Sequence, residues 1–346
     1  MRDNAFPRVK ETTVTLRSLA ALAALALVLP LAHAQKTLKY AHFQPAKDDQ
    51  PKHVAALAFK DHVEKATNGS VKVEIFPAGQ FGKDQPTMEG LKLGTLELAV
   101  AHDGAIATVH KPIGVLGIPF LYENHEHAWR VYDSKWKDDF SADMVKKAGI
   151  RMLGVADNGV RHFTNSLRPI QSPSDMKGMK IRIQPSPVFK TLVESLGASA
   201  SAIPWAELPT ALQQKVVDGQ ENGVTNILAA SLYQHQKYAT LDGHVWSIHA
   251  YMVNDRFYQG LTAVERKAVD EGVAKAVQIH RKMTSEQDLN AKTILEKNGM
   301  QVYVPNAAQL GEFRKLAQPP VRQWAETEIG KAYVDDLFKA IDATKK

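Results

Sequence analysis

The chain is 346 residues long, with 44% hydrophobic and 23% charged side chains, proportions that exclude a disordered or collagen-like protein. The absence of cysteine excludes cysteine catalysis, zinc fingers, iron–sulfur clusters and disulfide scaffolds. The formal charge of +6 comes from 43 basic and 37 acidic residues spread along the chain. It suits a small anionic ligand at least as well as nucleic acid, which is not expected as a partner.

The first 34 residues read as a secretory signal. Arg2, Arg8, Lys10 and Arg17 precede an uncharged apolar run from Leu19 to Leu31, and Ala32-His33-Ala34 then places small residues where a signal peptidase reads. A membrane anchor is the alternative, but this run is shorter than the roughly 20 residues a spanning helix needs. The mature chain is expected to begin near Gln35. Asp3 and Glu11 in the charged leader leave Val14 open as an alternative start. No later run is long and apolar enough to span, so an exported, soluble, periplasmic product is expected.

From Gln35 onward, strands and helices alternate. A strand at Thr37–His42 and a polar break precede a helix over about 53–66. Asn68-Gly69 turns into an alternating strand at Val71–Phe76. A helix over about 85–93 leads into an apolar strand at Leu96–Ala101. The same order returns with strands at Met152–Ala156 and Met179–Ile183 and helices at Pro187–Leu196 and Ala206–Gln214. Two doubly wound α/β lobes are therefore predicted. Thr262 caps a helical run that continues to about Lys297, read either as one strut across both lobes or as two helices broken at Gly272. Two more helices are expected on either side of Pro319-Pro320.

Catalytic patterns are scarce: there is no glycine-rich phosphate loop, no G-x-S-x-G elbow and no H-E-x-x-H helix. A secreted hydrolase would need one, so no enzyme is expected. His125-Glu126-His127 is the best metal candidate, yet if Asn124 starts a helix these histidines lie on different faces, and no metal or cofactor is expected. Arg182 is more informative. It lies between Ile181 and Ile183 on a strand, so it projects to the opposite face from them. There it needs a partner, either an internal carboxylate or a bound one.

The segment Lys177-Gly178-Met179-Lys180-Ile181-Arg182, the run Ala211–Asn222 ending in Asp218-Gly219-Gln220-Glu221-Asn222, Phe76–Gly82 and Ile118-Pro119-Phe120-Leu121 together resemble the periplasmic solute-binding subunit of TRAP (tripartite, ATP-independent periplasmic) transporters, DctP-like branch. The resemblance covers nearly all of the mature chain. It implies a two-lobed, type II-like α/β periplasmic binding protein with a long helix spanning both lobes. Lobe I would be 35–157 completed by about 245–285, and lobe II 158–244 completed by about 286–346. It further implies that Arg182 forks onto a ligand carboxylate, that Arg161 is a second pocket arginine and that Asn222 completes a polar cage. Trp205 would form a wall, and Phe43, Gln80, Lys83, His102 and Asp103 would face the cleft. The implied function is capture of a small organic-acid anion, dicarboxylate-type, by a monomer that delivers it to membrane permease subunits. Presentation of an organic acid or hexuronate to a receptor kinase is the alternative. Two departures stand out: Lys215 occupies a position where the family commonly has glycine, and Gly223 one where proline often follows the asparagine. The surroundings of His42 and His102 also differ from those of the sialic-acid-binding members.

Overall fold

The structure, a computed structural model, describes Met1 and residues 35–345; apart from Met1, the predicted signal lies outside the described residues. No described helix is long and apolar enough to cross a membrane.

Among the described residues nine strands form one mixed sheet: β1 Lys36–His42, β2 Val71–Phe76, β3 Leu98–His102, β4 Ile150–Asn165, β5 Lys180–Ile183, β6 Ser199–Ala202, β7 Gly219–Gly223, β8 Tyr238–Asn254 and β9 Gln301–Tyr303. Their order is β2-β1-β3-β8-β4-β7-β5-β6, with β9 beside β8. At one end β1 pairs in parallel with β2 and β3. At the other, β5 pairs in parallel with β6 and β7. The two ends are joined by β4 and β8, which run antiparallel to each other and are long enough to take part in both. Their pairing slips by one residue near Met152 and near Asp157 and by three beyond Arg161, and such irregularities bend and twist a strand ladder. The expected lobe limits at Asp157 and His244 fall inside these two strands.

The apolar spacing that predicts the first helix buries Ala55, Ala56, Phe59 and Val63 of Pro51–Ala66 against Leu38, Tyr40 and the long helix Ala263–Leu289. That helix runs unbroken through Gly272, where an added Cβ would sit 3.0 Å from Val63 and 3.1 Å from Phe59. The glycine therefore serves close helix packing and does not end the helix. Thr262 and Glu265 form a capping box at its start. Its far end reaches the helix Val224–Ala229 at the other end of the sheet, so it spans both lobes. The strut is 27 residues and stops at Asn290, where a second helix, Ala291–Lys297, takes over short of the single run to Lys297.

The C-terminal elements correct one expectation. The helix Ala307–Ala325 passes through Pro319 and Pro320 and yields only at the π-helical turn Glu326–Gly330. Both prolines are exposed, so the carbonyls they free can bond water, while buried Phe313, Ala317, Val321 and Ala325 hold the opposite face. The final helix is Lys331–Thr344. It packs on the helix His125–Tyr132, whose His127 Nε2 bonds the Ile341 carbonyl (3.1 Å) and whose Arg130 donates to that of Thr344 (2.8 Å).

Candidate ligand-binding site

In open parallel α/β sheets, ligands bind beyond the carboxyl ends of the strands. Here Phe43 and Gln44 follow the end of β1, His102 ends β3, Arg182 and Gln184 flank the last residue of β5, and Asn222 lies one residue from the end of β7. With Asn158 and Arg161 from the middle of β4, Trp205 from the turn after β6 and Asn226 from the helix Val224–Ala229, they line a narrow cavity.

The two arginines are treated differently by their surroundings. Arg161 is neutralised by buried Glu221: its Nε and Nη2 grip both carboxylate oxygens, the latter at 2.8 Å, and Nη2 also donates to the Glu221 carbonyl (2.6 Å). Glu221 in turn accepts from His244 Nε2 (3.4 Å), whose Nδ1 meets Asp242 at 2.9 Å. Burial alone would lower the His244 pKa, but Asp242 and Glu221 outweigh it and hold it up at about 9. Arg182 is also fully buried, at 1% exposure. Its Nε donates to the Ile203 carbonyl (2.8 Å), and its terminal nitrogens find no acceptor among the described residues. Among the described residues no carboxylate lies within ion-pair distance of it, and burial lowers its pKa to about 10, which still leaves it charged at neutral pH.

Asn226 is the hub of the polar floor. Its Nδ2 donates to Asn158 O (3.1 Å), Asn158 Oδ1 (2.8 Å) and Asn222 Oδ1 (3.0 Å). Its Oδ1 accepts from Gln44 Nε2 (3.0 Å) and from Lys52 Nζ (3.3 Å). Gln184 Nε2 reaches across to Asp103 Oδ1 (3.0 Å). His102 bonds Asp84 through Nε2 (3.3 Å) and caps a turn by accepting from Ala105 N (3.2 Å).

Of the sequence candidates, Arg182, Arg161, Asn222, Trp205, Phe43 and His102 line this cavity and Gln80, Lys83 and Asp103 do not. Gln80 is exposed. Lys83 forms an exposed ion pair with Glu207 (2.6 Å), which ties the loop after β2 to the turn after β6. Asp103 stands behind the wall, holding Gln184 and Ser247 (2.8 Å). Gln44, Asn158, Gln184 and Asn226 are additional lining residues that sequence reasoning missed. Strand alternation could have found Gln184, two residues beyond Arg182 on the same face. No such signal marks Asn226. Asn124 does start a helix, accepting from His127 N (2.8 Å). Among the described residues no group of three His, Asp or Glu side chains could hold a metal ion.

The family model for bacterial extracellular solute-binding proteins, family 7 (DctP), matches residues 41–328. The chain belongs to that family. Family 7 proteins bind solutes rather than transform them, so the chain is not an enzyme. Its fold is similar to that of the sugar-acid-binding protein of Advenella mimigardefordensis in complex with galactonate, with a TM-score of 0.84 and 27% identity over 90% of this chain and 99% of that one. It is also similar to a TRAP periplasmic solute-binding protein of Polaromonas sp. JS666 bound to D-erythronate, with a TM-score of 0.82 and 32% identity over 90% and 99% of the chains. A third, from Shewanella oneidensis with bound succinate, has a TM-score of 0.82 and 26% identity over 89% and 100%. The two-lobed TRAP-type architecture is thus the fold of this chain.

Proposed function

We propose that this protein captures a small organic-acid anion between its lobes in the periplasm and hands it to the membrane subunits of a TRAP transporter. The observation that carries the reading is Arg182, a buried cation in the cavity wall with donors to spare and no ion-pair partner among the described residues. Burying a lone charge is costly, and a ligand carboxylate that accepts two parallel N–H bonds removes that cost. The family supports export and delivery, with residues 1–34 removed and the mature chain acting as a monomer. Presentation to a receptor kinase finds no support in the relatives named above. The lobes are taken to be 35–157 and 158–244, exchanging partners along β4 and β8, with residues 331–344 assigned to the first.

The test is a thermal-shift screen against organic acids, followed by calorimetric titration of the acid that binds. Arg182→Ala should weaken binding by about 2 to 4 kcal/mol, because the anion would be desolvated without its partner. Its melting temperature should change little, since relief of the buried charge offsets the lost bond to the Ile203 carbonyl. Arg182→Lys keeps the charge without the fork and should recover part of the affinity. A destabilised Arg182→Ala with wild-type affinity would remove Arg182 from the site.

A further inference from the structure

We propose that the ligand is a polyhydroxylated monocarboxylate of the aldonate type and not a dicarboxylate, an inference that rests on the organic-acid reading above. Relatedness does not decide this, since similar structures hold galactonate, erythronate and succinate.

The argument starts from charge. A second ligand carboxylate needs a second unneutralised cation, and among the described lining residues only Arg182 is one. Arg161 is gripped by Glu221. Lys52 sits behind Asn226 and does not line the cavity. The nearby carboxylate of Asp84, bonded to His102, makes the surroundings still less suited to a dianion.

The remaining polar groups ask for donors. Asn226 Nδ2 faces the Asn158 carbonyl, which only accepts, so the orientation of the Asn226 amide is settled with Oδ1 on the other side. The group of Gln44 facing that Oδ1 must then be its NH₂. This leaves Gln44 Oε1 as an acceptor, buried and without a donor among the described residues. The same reasoning applies to Gln184, whose NH₂ faces the Asp103 carboxylate; its Oε1 likewise receives no hydrogen bond among the described residues. Both side chains are more than nine-tenths buried. Two amides held in fixed orientation, each with an acceptor to spare and each lining the same cavity as one free guanidinium, match a carboxylate followed by hydroxyl groups. A dicarboxylate offers Gln44 and Gln184 no hydrogen to accept, and places oxygen anions against their carbonyls.

The test is calorimetric titration of the mature protein with two length-matched sets: erythronate, succinate, butyrate and erythritol, then gluconate, adipate, hexanoate and sorbitol. A site built around ligand hydroxyls rejects analogues that lack them, so in at least one set the aldonate should bind about 100-fold more tightly than the diacid and the plain acid, with the polyol failing to bind. A diacid or plain acid that binds as well as its aldonate overturns the proposal and leaves carboxylate capture standing. If no acid in either set binds, the organic-acid reading falls with it. Gln44→Met and Gln184→Met should each weaken the aldonate about 10-fold while leaving the diacid unchanged, whereas Arg182→Ala weakens both acids alike. Glutamine variants that weaken aldonate and diacid equally would mean the amides only hold the lobes together, and would also overturn the proposal.

Discussion

His244 shows how the site keeps one arginine paired and the other free. Buried between Asp242 and Glu221 and stacked on Phe163 at 4.3 Å, it is charged at neutral pH, and its proton lets Glu221 stay ionised beside Arg161. Burial alone would raise the Glu221 pKa, but Arg161 and His244 lower it on balance. Because the folded pKa of His244, about 9, exceeds the unfolded 6.5, its contribution to stability is fully present below pH 6.5 and is lost as pH rises toward 9. His244→Gln should therefore be destabilised relative to wild type by on the order of 3 kcal/mol more at pH 6 than at pH 9.5. Denaturant melts of both proteins at the two pH values check this; a difference independent of pH would show that His244 is neutral in the fold.

At the scale of elements, the helix Leu208–Gln213 ends in a Schellman turn: Val216 N bonds Ala211 O (3.0 Å) and Lys215 N bonds Leu212 O (3.1 Å). Lys215 holds the left-handed position with φ of 55°. This is the site where the family commonly has glycine, and the geometry explains why. A left-handed L-residue costs about 1 to 2 kcal/mol, against about 0.5 to 1 kcal/mol for the extra freedom glycine loses on folding. The Lys215 side chain is exposed and makes no hydrogen bond or ion pair among the described residues, so Lys215→Gly should stabilise the protein by about 0.5 to 1 kcal/mol, with ligand affinity unchanged. A chemical-denaturation midpoint that falls would contradict it. Gly223 has a different reason: an added Cβ would lie 2.8 Å from the Asn158 carbonyl and 2.9 Å from Gly159 Cα, so close passage of β7 over β4 excludes any side chain there.

Across the whole molecule, the cavity is closed by bonds between its opposite walls. Gln44 and Lys52, from the β1 side, meet Asn226; Asp103, after β3, meets Gln184; and Lys83 meets Glu207 at the mouth. Each is individually modest, and the exposed Lys83–Glu207 pair contributes at most about 1 kcal/mol. A ligand that bridges the same walls adds to them and shifts the population toward closure. Small-angle scattering should then show a lower radius of gyration for the mature protein saturated with a binding acid than for the protein alone. An identical profile in both states would rule out a hinge along β4 and β8.

Much of this was legible along the chain because it depends on local pattern. Alternation at Val71–Phe76, the apolar spacing of the helix that follows β1, the Thr262 cap and the position of Arg182 between two isoleucines are all set by residues a few places apart. The strand β8 was not legible, because Asp242, His244 and His249 interrupt its apolar pattern, and a buried polar residue makes sense only once its partner is known. Nor could the sequence separate the two arginines. Glu221 is sixty residues from Arg161 and is brought to it by the pairing of β4 with β7, while Arg182, on the next strand, finds no such partner. The types of residue needed for an anion site were therefore determined by the sequence alone. Which charge is already compensated, and which is left for a ligand, was decided by the tertiary structure, because charge compensation depends on separations of a few ångströms between strands distant in the chain.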